Sequence, residues 1–251
     1  MKEAKYNLGL VSISFRQHTP SEILKEVKRA GLSCIEWGSD VHAPCQDTEK
    51  LRQIAELQKE YGVTCSSYGT YFRLGETPIE ELVSYINAAK ILGTDILRLW
   101  CGTKSGEEMT EAERDFLLDQ CRHAASLAEE HGVILCMECH KKTYTQRLGD
   151  TLFLMGEINS PHFRMYWQPF QWQTEEQNLE CAEAIAPYAY HIHVFQWNGE
   201  DRFPLTDGIG EWQKYLSKFS TPRTLLLEFM PDDKLDSLCI EADALRTIIG
   251  E

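Results

Sequence analysis

Val133-Ile134-Leu135-Cys136-Met137-Glu138 is a short apolar run that ends in an acid, and three runs downstream share its form. They are Phe163-Arg164-Met165-Tyr166-Trp167-Gln168, Tyr190-His191-Ile192-His193 and Thr224-Leu225-Leu226-Leu227-Glu228. A carboxylate at the end of a buried run is costly unless it is paired or coordinates a cation. Four such ends, separated by helix-sized gaps, point to strands whose tips converge on one shared site.

Outward from these runs, strand-like segments alternate with helix-period segments along the whole chain. The pattern predicts strands at 8–13, 34–37, 63–68, 96–100, 133–138, 163–168, 189–195 and 225–229. Between and after them it predicts helices starting near 21 and covering 48–61, 78–92, 110–131, 150–158, 175–186, 210–219 and 236–249. Thr19-Pro20-Ser21-Glu22 reads as a capped helix start, and Gly31, Gly62, Gly93 and Gly132 each follow a helix, where glycine is the expected stop. Strict alternation implies parallel strands joined by crossover helices. Eight units in 251 residues, with no Pro/Gly-rich linker, favour one α/β domain over 1–251, a (β/α)8 TIM barrel. An open doubly wound sheet is the competitor, but no G-x-G-x-x-G turn follows the first strand.

Composition narrows the function. The net charge is −14, from 39 acids against 25 bases, and no basic block supplies a phosphate-binding footprint, so nucleic acid is not expected as a partner. No apolar stretch reaches the roughly 18 residues needed to span a bilayer. The start, Met1-Lys2-Glu3-Ala4-Lys5-Tyr6, lacks the apolar core of a signal peptide, which leaves the cytoplasm as the expected location. Nine scattered cysteines do not read as a disulfide framework. Cys136 and Cys139 have C-x-x-C spacing but fall at a strand end, where they face different ways, and no second pair accompanies them.

In a barrel of this kind the chemistry gathers at the carboxyl ends of the strands. Glu138, Gln168, His193 and Glu228 would end strands five to eight, offering three oxygens and one imidazole nitrogen to a single divalent cation. Mixed oxygen and nitrogen ligation fits manganese, magnesium, cobalt or zinc. Other strand ends would line a substrate pocket: Glu36 and His42 after strand two, Tyr68 on strand three, Arg98 and Trp100 on strand four, His140 and Lys141 after Glu138. Gln171, Gln196 and Trp197 join them from the later loops, and Trp37 and Trp172 lie in or near those loops. His191, two residues before His193, reads as a buried, hydrogen-bonded layer residue rather than a second ligand.

At these positions the chain resembles the xylose-isomerase-like barrel superfamily of sugar isomerases and epimerases. Ketose 3-epimerases, hydroxypyruvate isomerases and inosose dehydratases are the relatives of most similar pattern. The likeness rests on Glu138-Cys139-His140, on His191-Ile192-His193-Val194-Phe195-Gln196, on Gly208-Ile209-Gly210-Glu211-Trp212 and on Leu227-Glu228-Phe229. The chain departs from the family pattern at Gln168 and Gln171, where an Asp ligand and a His are usual, and at Gln196, where an acid is usual.

The resemblance implies a metal-dependent isomerase or epimerase of a small ketose, aldose or keto-polyol. In that chemistry the cation stabilises a cis-enediolate as a Lewis acid. Glu138 and Glu228 would be the two proton-transfer carboxylates and His193 a ligand only. It also implies a substrate-binding Arg after strand seven, for which Arg202 is the nearest match. Barrels of this family often pair, so a homo-oligomer is compatible with the pattern. A dehydratase or lyase using the same site, with His140 or Lys141 as general acid, is the second expectation. A non-catalytic carbohydrate-binding barrel subunit is the third.

Overall fold

The computed structural model describes residues 6–220 and 223–251. Met1 to Lys5, read above for a leader, lie outside the described residues. The elements follow as β1 Asn7–Val11, α1 Pro20–Arg29, β2 Cys34–Gly38, α2 Thr48–Tyr61, β3 Thr64–Leu74, α3 Leu82–Leu92, β4 Ile96–Cys101 and α4 Glu111–His131. The second half continues with β5 Ile134–Glu138, α5 Leu148–Ile158, β6 Phe163–Trp167, α6 Glu175–Ile185, β7 Ala189–Val194, β8 Gln196–Asn198, β9 Asp201–Phe203, α7 Ile209–Ser217, β10 Thr224–Leu227 and α8 Leu238–Ile249.

Local chemistry sets these boundaries. The Thr19 hydroxyl accepts from the Glu22 amide while the Glu22 carboxylate accepts from the Thr19 amide, closing a capping box with Pro20 in the first turn. Thr110 with Glu113 and Thr174 with Gln177 repeat the device at α4 and α6. Gly62, Gly93 and Gly132 end α2, α3 and α4 in the left-handed region, a conformation that suits a residue without Cβ.

Eight strands close a parallel barrel in the order β1-β10-β7-β6-β5-β4-β3-β2, with β1 paired to β10. This is the single (β/α)8 barrel that the alternating pattern predicts. Strand side chains alternate between two cores. Ile35, Trp37, Leu97, Leu99, Met137, Ile192, Val194, Leu225 and Leu227 face outward into the layer shared with the helices. Val11, Cys34, Ile96, Cys136, Tyr166 and Leu226 fill the barrel interior. Cys136 and Cys139 fall into different cores, in agreement with the reading that they do not pair.

Two features depart from the sequence pattern. β3 runs on to Leu74 instead of ending at Tyr68, with a register shift against β4 between Gly69 and Arg73. A two-stranded antiparallel hairpin, β8–β9, occupies what the pattern leaves as the loop after strand seven. No helix among the described residues is long and apolar enough to cross a membrane.

Candidate active site

Alternation decides which side chains meet. Because Ile35, Trp37, Leu97, Leu99, Met137, Ile192 and Val194 face the helices, Glu36, Arg98, Glu138 and His193 between or beside them face the barrel axis. Gln168 and Glu228 follow the last residues of β6 and β10 on the same rim. All six are buried, the most accessible being Gln168 at 8%. Above them opens a cavity of about 290 Å³ walled by Trp100, Tyr71, Phe170, Phe195, Trp197 and Phe229, with Glu138 and Glu228 at its base.

His193 is the centre of this group. Its Nδ1 lies 2.9 Å from Gln168 Oε1, 3.5 Å from Glu228 Oε2 and 3.6 Å from Glu138 Oε1. Its Nε2 points the other way, 3.7 Å from Glu36 Oε2. Beneath, Arg98 donates through Nε to Glu36 Oε1 at 2.8 Å and through Nη1 to Glu138 Oε2 at 2.5 Å. Trp100 Nε1 donates to the same Glu138 Oε2 at 2.6 Å. Ser67 Oγ donates to Glu36 Oε2 at 2.9 Å.

The two carboxylates of the rim are therefore unequal. Burial alone would push both up. At Glu138 the Arg98 guanidinium and His193 outweigh burial and hold the carboxyl well below the usual range. At Glu228 burial prevails over the attraction of His193, the charge of Glu138 adds to it, and the carboxyl is pushed up to about 7. Burial would lower His193, yet Glu228, Glu138 and Glu36 together push its imidazole up to about 10. The backbone adds a fixed element at this point: Phe229 sits in the left-handed region at φ 54°, its amide donating to Ser14 Oγ at 2.9 Å. A non-glycine residue in that region stores strain, which commonly concentrates at functional sites.

The donor set suits a divalent cation. Glu138, His193 and Glu228 each offer a ligand atom, all within 4.8 Å of one another and all buried. Two ligands about 2.1 Å from a shared ion stand roughly 3–4 Å apart, which matches the 3.5 and 3.6 Å approaches to His193 Nδ1. Gln168 Oε1 supplies a third oxygen, and a fourth ligand, beside the same nitrogen. Oxygen and imidazole donors of this kind do not select among manganese, magnesium, cobalt and zinc.

A description of the xylose isomerase-like TIM barrel matches residues 24–232. The chain belongs to that family. In sequence it is similar to a 3-dehydroshikimate dehydratase of Bacillus anthracis, 22% identical over 199 residues that make up 75% of this chain and 70% of the relative. In structure it is similar to a "probable 3-DHS dehydratase" of the same organism, with a TM-score of 0.80 at 19% identity, covering 96% of this chain and 98% of that one. A D-psicose 3-epimerase solved with D-fructose superposes with a TM-score of 0.72 at 12% identity, over 98% and 100% of the two chains. A barrel from Mycobacterium smegmatis solved in complex with magnesium gives a TM-score of 0.70 at 12% identity, covering 97% of this chain and 96% of that one. These relatives are similar in fold, and the two dehydratases and the epimerase bear the names of enzymes.

The remaining expected site residues divide into two sets. Trp100, His140, Lys141, Gln171 and Trp197 line the cavity with Gln168. Glu36 lies below it, reaching the rim only through His193 and Arg98. His42 is buried between Ser12 Oγ and the His18 carbonyl, at 3.1 Å from each. Tyr68 faces outward and donates to the Ala43 carbonyl at 2.6 Å, and Trp37 does likewise to Gln58 Oε1 at 2.6 Å. Gln196 turns away to donate to Glu211 Oε2 at 3.2 Å and rests on Gly208, where an added Cβ would overlap its amide. Arg202 stacks on Trp197 and Phe229 and bonds Asp233, so it braces the hairpin against the wall instead of lining the cavity. Trp172 is exposed, with Lys141 Nζ 4.4 Å from its ring centre.

The sequence reading passes over Ser67, Gly69, Arg16 and Tyr71. Ser67 carries a signal that parity provides, since Tyr68 packing outward forces Ser67 inward. Arg16 and Tyr71 line the cavity, Arg16 bonding Asp40 at 2.6 Å and the Tyr71 hydroxyl at 2.5 Å. They come from a turn after β1 and from the unforeseen extension of β3, so no strand-end pattern marks them.

Proposed function

We propose that the protein is a divalent-metal-dependent enzyme that removes a proton from the carbon beside a carbonyl of a small oxygenated substrate, with Glu228 as the proton-transfer carboxylate. The observation that carries this reading is the inequality of the two rim carboxylates. Glu138 Oε2 is saturated by Arg98 and Trp100, while the Glu228 carboxylate accepts no hydrogen bond from any described residue. Glu138, Gln168, His193 and Glu228 would hold the cation, which when bound supplies Lewis-acid polarisation of a carbonyl.

Glu228 then acts as the general base at the cavity floor, its carboxylate free of the hydrogen bonds that hold Glu138. Glu138 stays ionised and fixed by Arg98, a poor proton acceptor in that state. The ring wall of Tyr71, Trp100, Phe170, Phe195 and Trp197 excludes water from a carbanionic substrate. A volume near 290 Å³ suits a small molecule. A net charge of −14 argues against a nucleic-acid substrate.

One unencumbered carboxylate favours elimination over two-base epimerisation. Glu228 takes the α proton, the β hydroxyl departs, and His140 or Lys141 on the wall protonates it to water. Similarity to a 3-dehydroshikimate dehydratase supports that direction. Isomerisation or epimerisation of a ketose is the second reading, supported by similarity to a D-psicose 3-epimerase. It requires Glu138, held ionised by Arg98 and Trp100 on Oε2, to carry a proton on Oε1 during each turnover.

The test is metal content of the protein purified without chelator, followed by reaction of cyclic and open-chain hydroxy ketones in deuterium oxide. Loss of water with a new conjugated absorbance supports elimination. Deuterium entering without loss of water supports epimerisation. A protein that takes up none of the four metals sinks both.

A further inference from the structure

The two ring nitrogens of His193 face different surroundings. Nδ1 looks up into Gln168, Glu138 and Glu228, the atoms that would share a cation with it. Nε2 looks down, is buried, and has no hydrogen-bond partner within normal reach among the described residues. The polar atom ahead of it is Glu36 Oε2 at 3.7 Å. A buried donor left unpaired is costly, so Nε2 and Glu36 are best understood as a pair that tightens when the rim is organised.

Glu36 is built for that task. It is fully buried and held by two donors, Ser67 Oγ on Oε2 and Arg98 Nε on Oε1. The backbone of β3 leaves room for the arrangement. A Cβ at Gly69 would come within 2.5 Å of Glu36 Oε1 and 2.8 Å of Arg98 Nη2. The Tyr166 ring meets the His193 ring in a T-shaped contact, 5.0 Å between centres, which limits its rotation.

We infer that Glu36 is a positioning residue that fixes the tautomer of His193, accepting Nε2–H so that Nδ1 is the nitrogen presented to a divalent cation. Arg98 ties this carboxylate to Glu138, so one guanidinium orients a ligand directly and the histidine ligand through Glu36. A partner on the far nitrogen of a metal-binding histidine sets its orientation and raises its basicity, and removing such a partner weakens metal binding about 10- to 100-fold. The inference rests on the metal-dependent reading above and adds to it the atom that binds and the residue that chooses it.

The experiment measures affinity for manganese and zinc by competition with a fluorescent chelator, in the parent, Glu36→Gln and Ser67→Ala proteins. Glu36→Gln keeps the shape but only one acceptor oxygen, which can serve Nε2–H or Arg98 and not both, and it loses the charge; it is expected to bind about 10-fold more weakly or worse. Ser67→Ala, which only loosens Glu36, is expected to show a smaller loss in the same direction. Nitrogen-15 histidine labelling with cadmium-113 loading gives a readout that a purely structural role would not move. Coupling of the metal to His193 Nδ1, with Nε2 protonated, is expected.

Coupling to Nε2, or a folded Glu36→Gln protein that binds as the parent does, overturns the inference while leaving the function proposal standing. A parent that binds none of these metals overturns both. If Glu36→Gln does not fold, the coupling in the parent still decides.

Discussion

His191 and His193 stand two residues apart on the inward face of β7, and the barrel treats them oppositely. His191 lies one layer lower, its Nδ1 against the Tyr190 carbonyl at 2.9 Å and its Nε2 against the Ser66 carbonyl at 3.2 Å. Burial lowers its pKa, and backbone carbonyls only partly oppose the shift. His193, about 6.6 Å further along the strand, meets three carboxylates and is pushed up to about 10. The same side chain, similarly enclosed, is a packing element in one layer and a candidate ligand in the next. What differs is the ring of neighbours: backbone oxygens below, the ends of β2, β5 and β10 above.

The contrast can be broken most severely at Glu228. Glu228→Gln should lower turnover or solvent-proton exchange about 100- to 10,000-fold, the range of a lost general base. An exchange rate close to the parent's would remove Glu228 from that role. Next in size, His193→Asn should weaken metal binding by about 100-fold or more, beyond the loss expected for an indirect partner. His191→Leu should leave metal affinity unchanged while costing about 1–3 kcal/mol of stability, because the Tyr190 and Ser66 carbonyls lose a donor. Equal losses of metal affinity in both would erase the distinction between the layers.

A pH series sharpens the same contrast. In metal-free protein the Glu228 carboxyl is raised from the unfolded value near 4.3 to about 7. A raised acid favours folding in its protonated form, so its contribution is full below about pH 4.3 and is lost as pH rises through 7. Denaturant unfolding of Glu228→Gln should therefore show its advantage over the parent growing between pH 5 and 8, by about 2–3 kcal/mol. An advantage that shrinks with pH would contradict the burial argument. The smallest effect belongs to the hairpin: Arg202→Met removes the exposed pair with Asp233 and should change stability by no more than about 1 kcal/mol.

The fold was legible because each strand and helix carries its own local period and its own stop, and α2 at 48–61 falls where the pattern predicts it. The convergence of Glu138, Gln168, His193 and Glu228 was legible for a related reason, since one parity rule and one closed barrel place all four. Distance from that rule explains what was not. Tyr68, His42 and Gln196 lie at or near strand ends yet point elsewhere, because parity or a neighbouring polar group claims them. The β8–β9 hairpin has strands of three residues, too short for a period, although Gly199-Glu200 puts glycine first in a two-residue loop, a known turn signal, and Gly199 has φ 61°. The inequality of Glu138 and Glu228 depends on Arg98, a through-space partner 40 residues from Glu138 in the chain.

Closure of the barrel between β1 and β10 carries a consequence for biosynthesis. The chain emerges from the ribosome amino end first, so Glu138 and His193 are made well before the strand that delivers Glu228. Until β10 inserts between β1 and β7, the sheet has two open edges and the triad lacks a member. The proposed cation site is thus complete only in the closed barrel, once the last strand is in place.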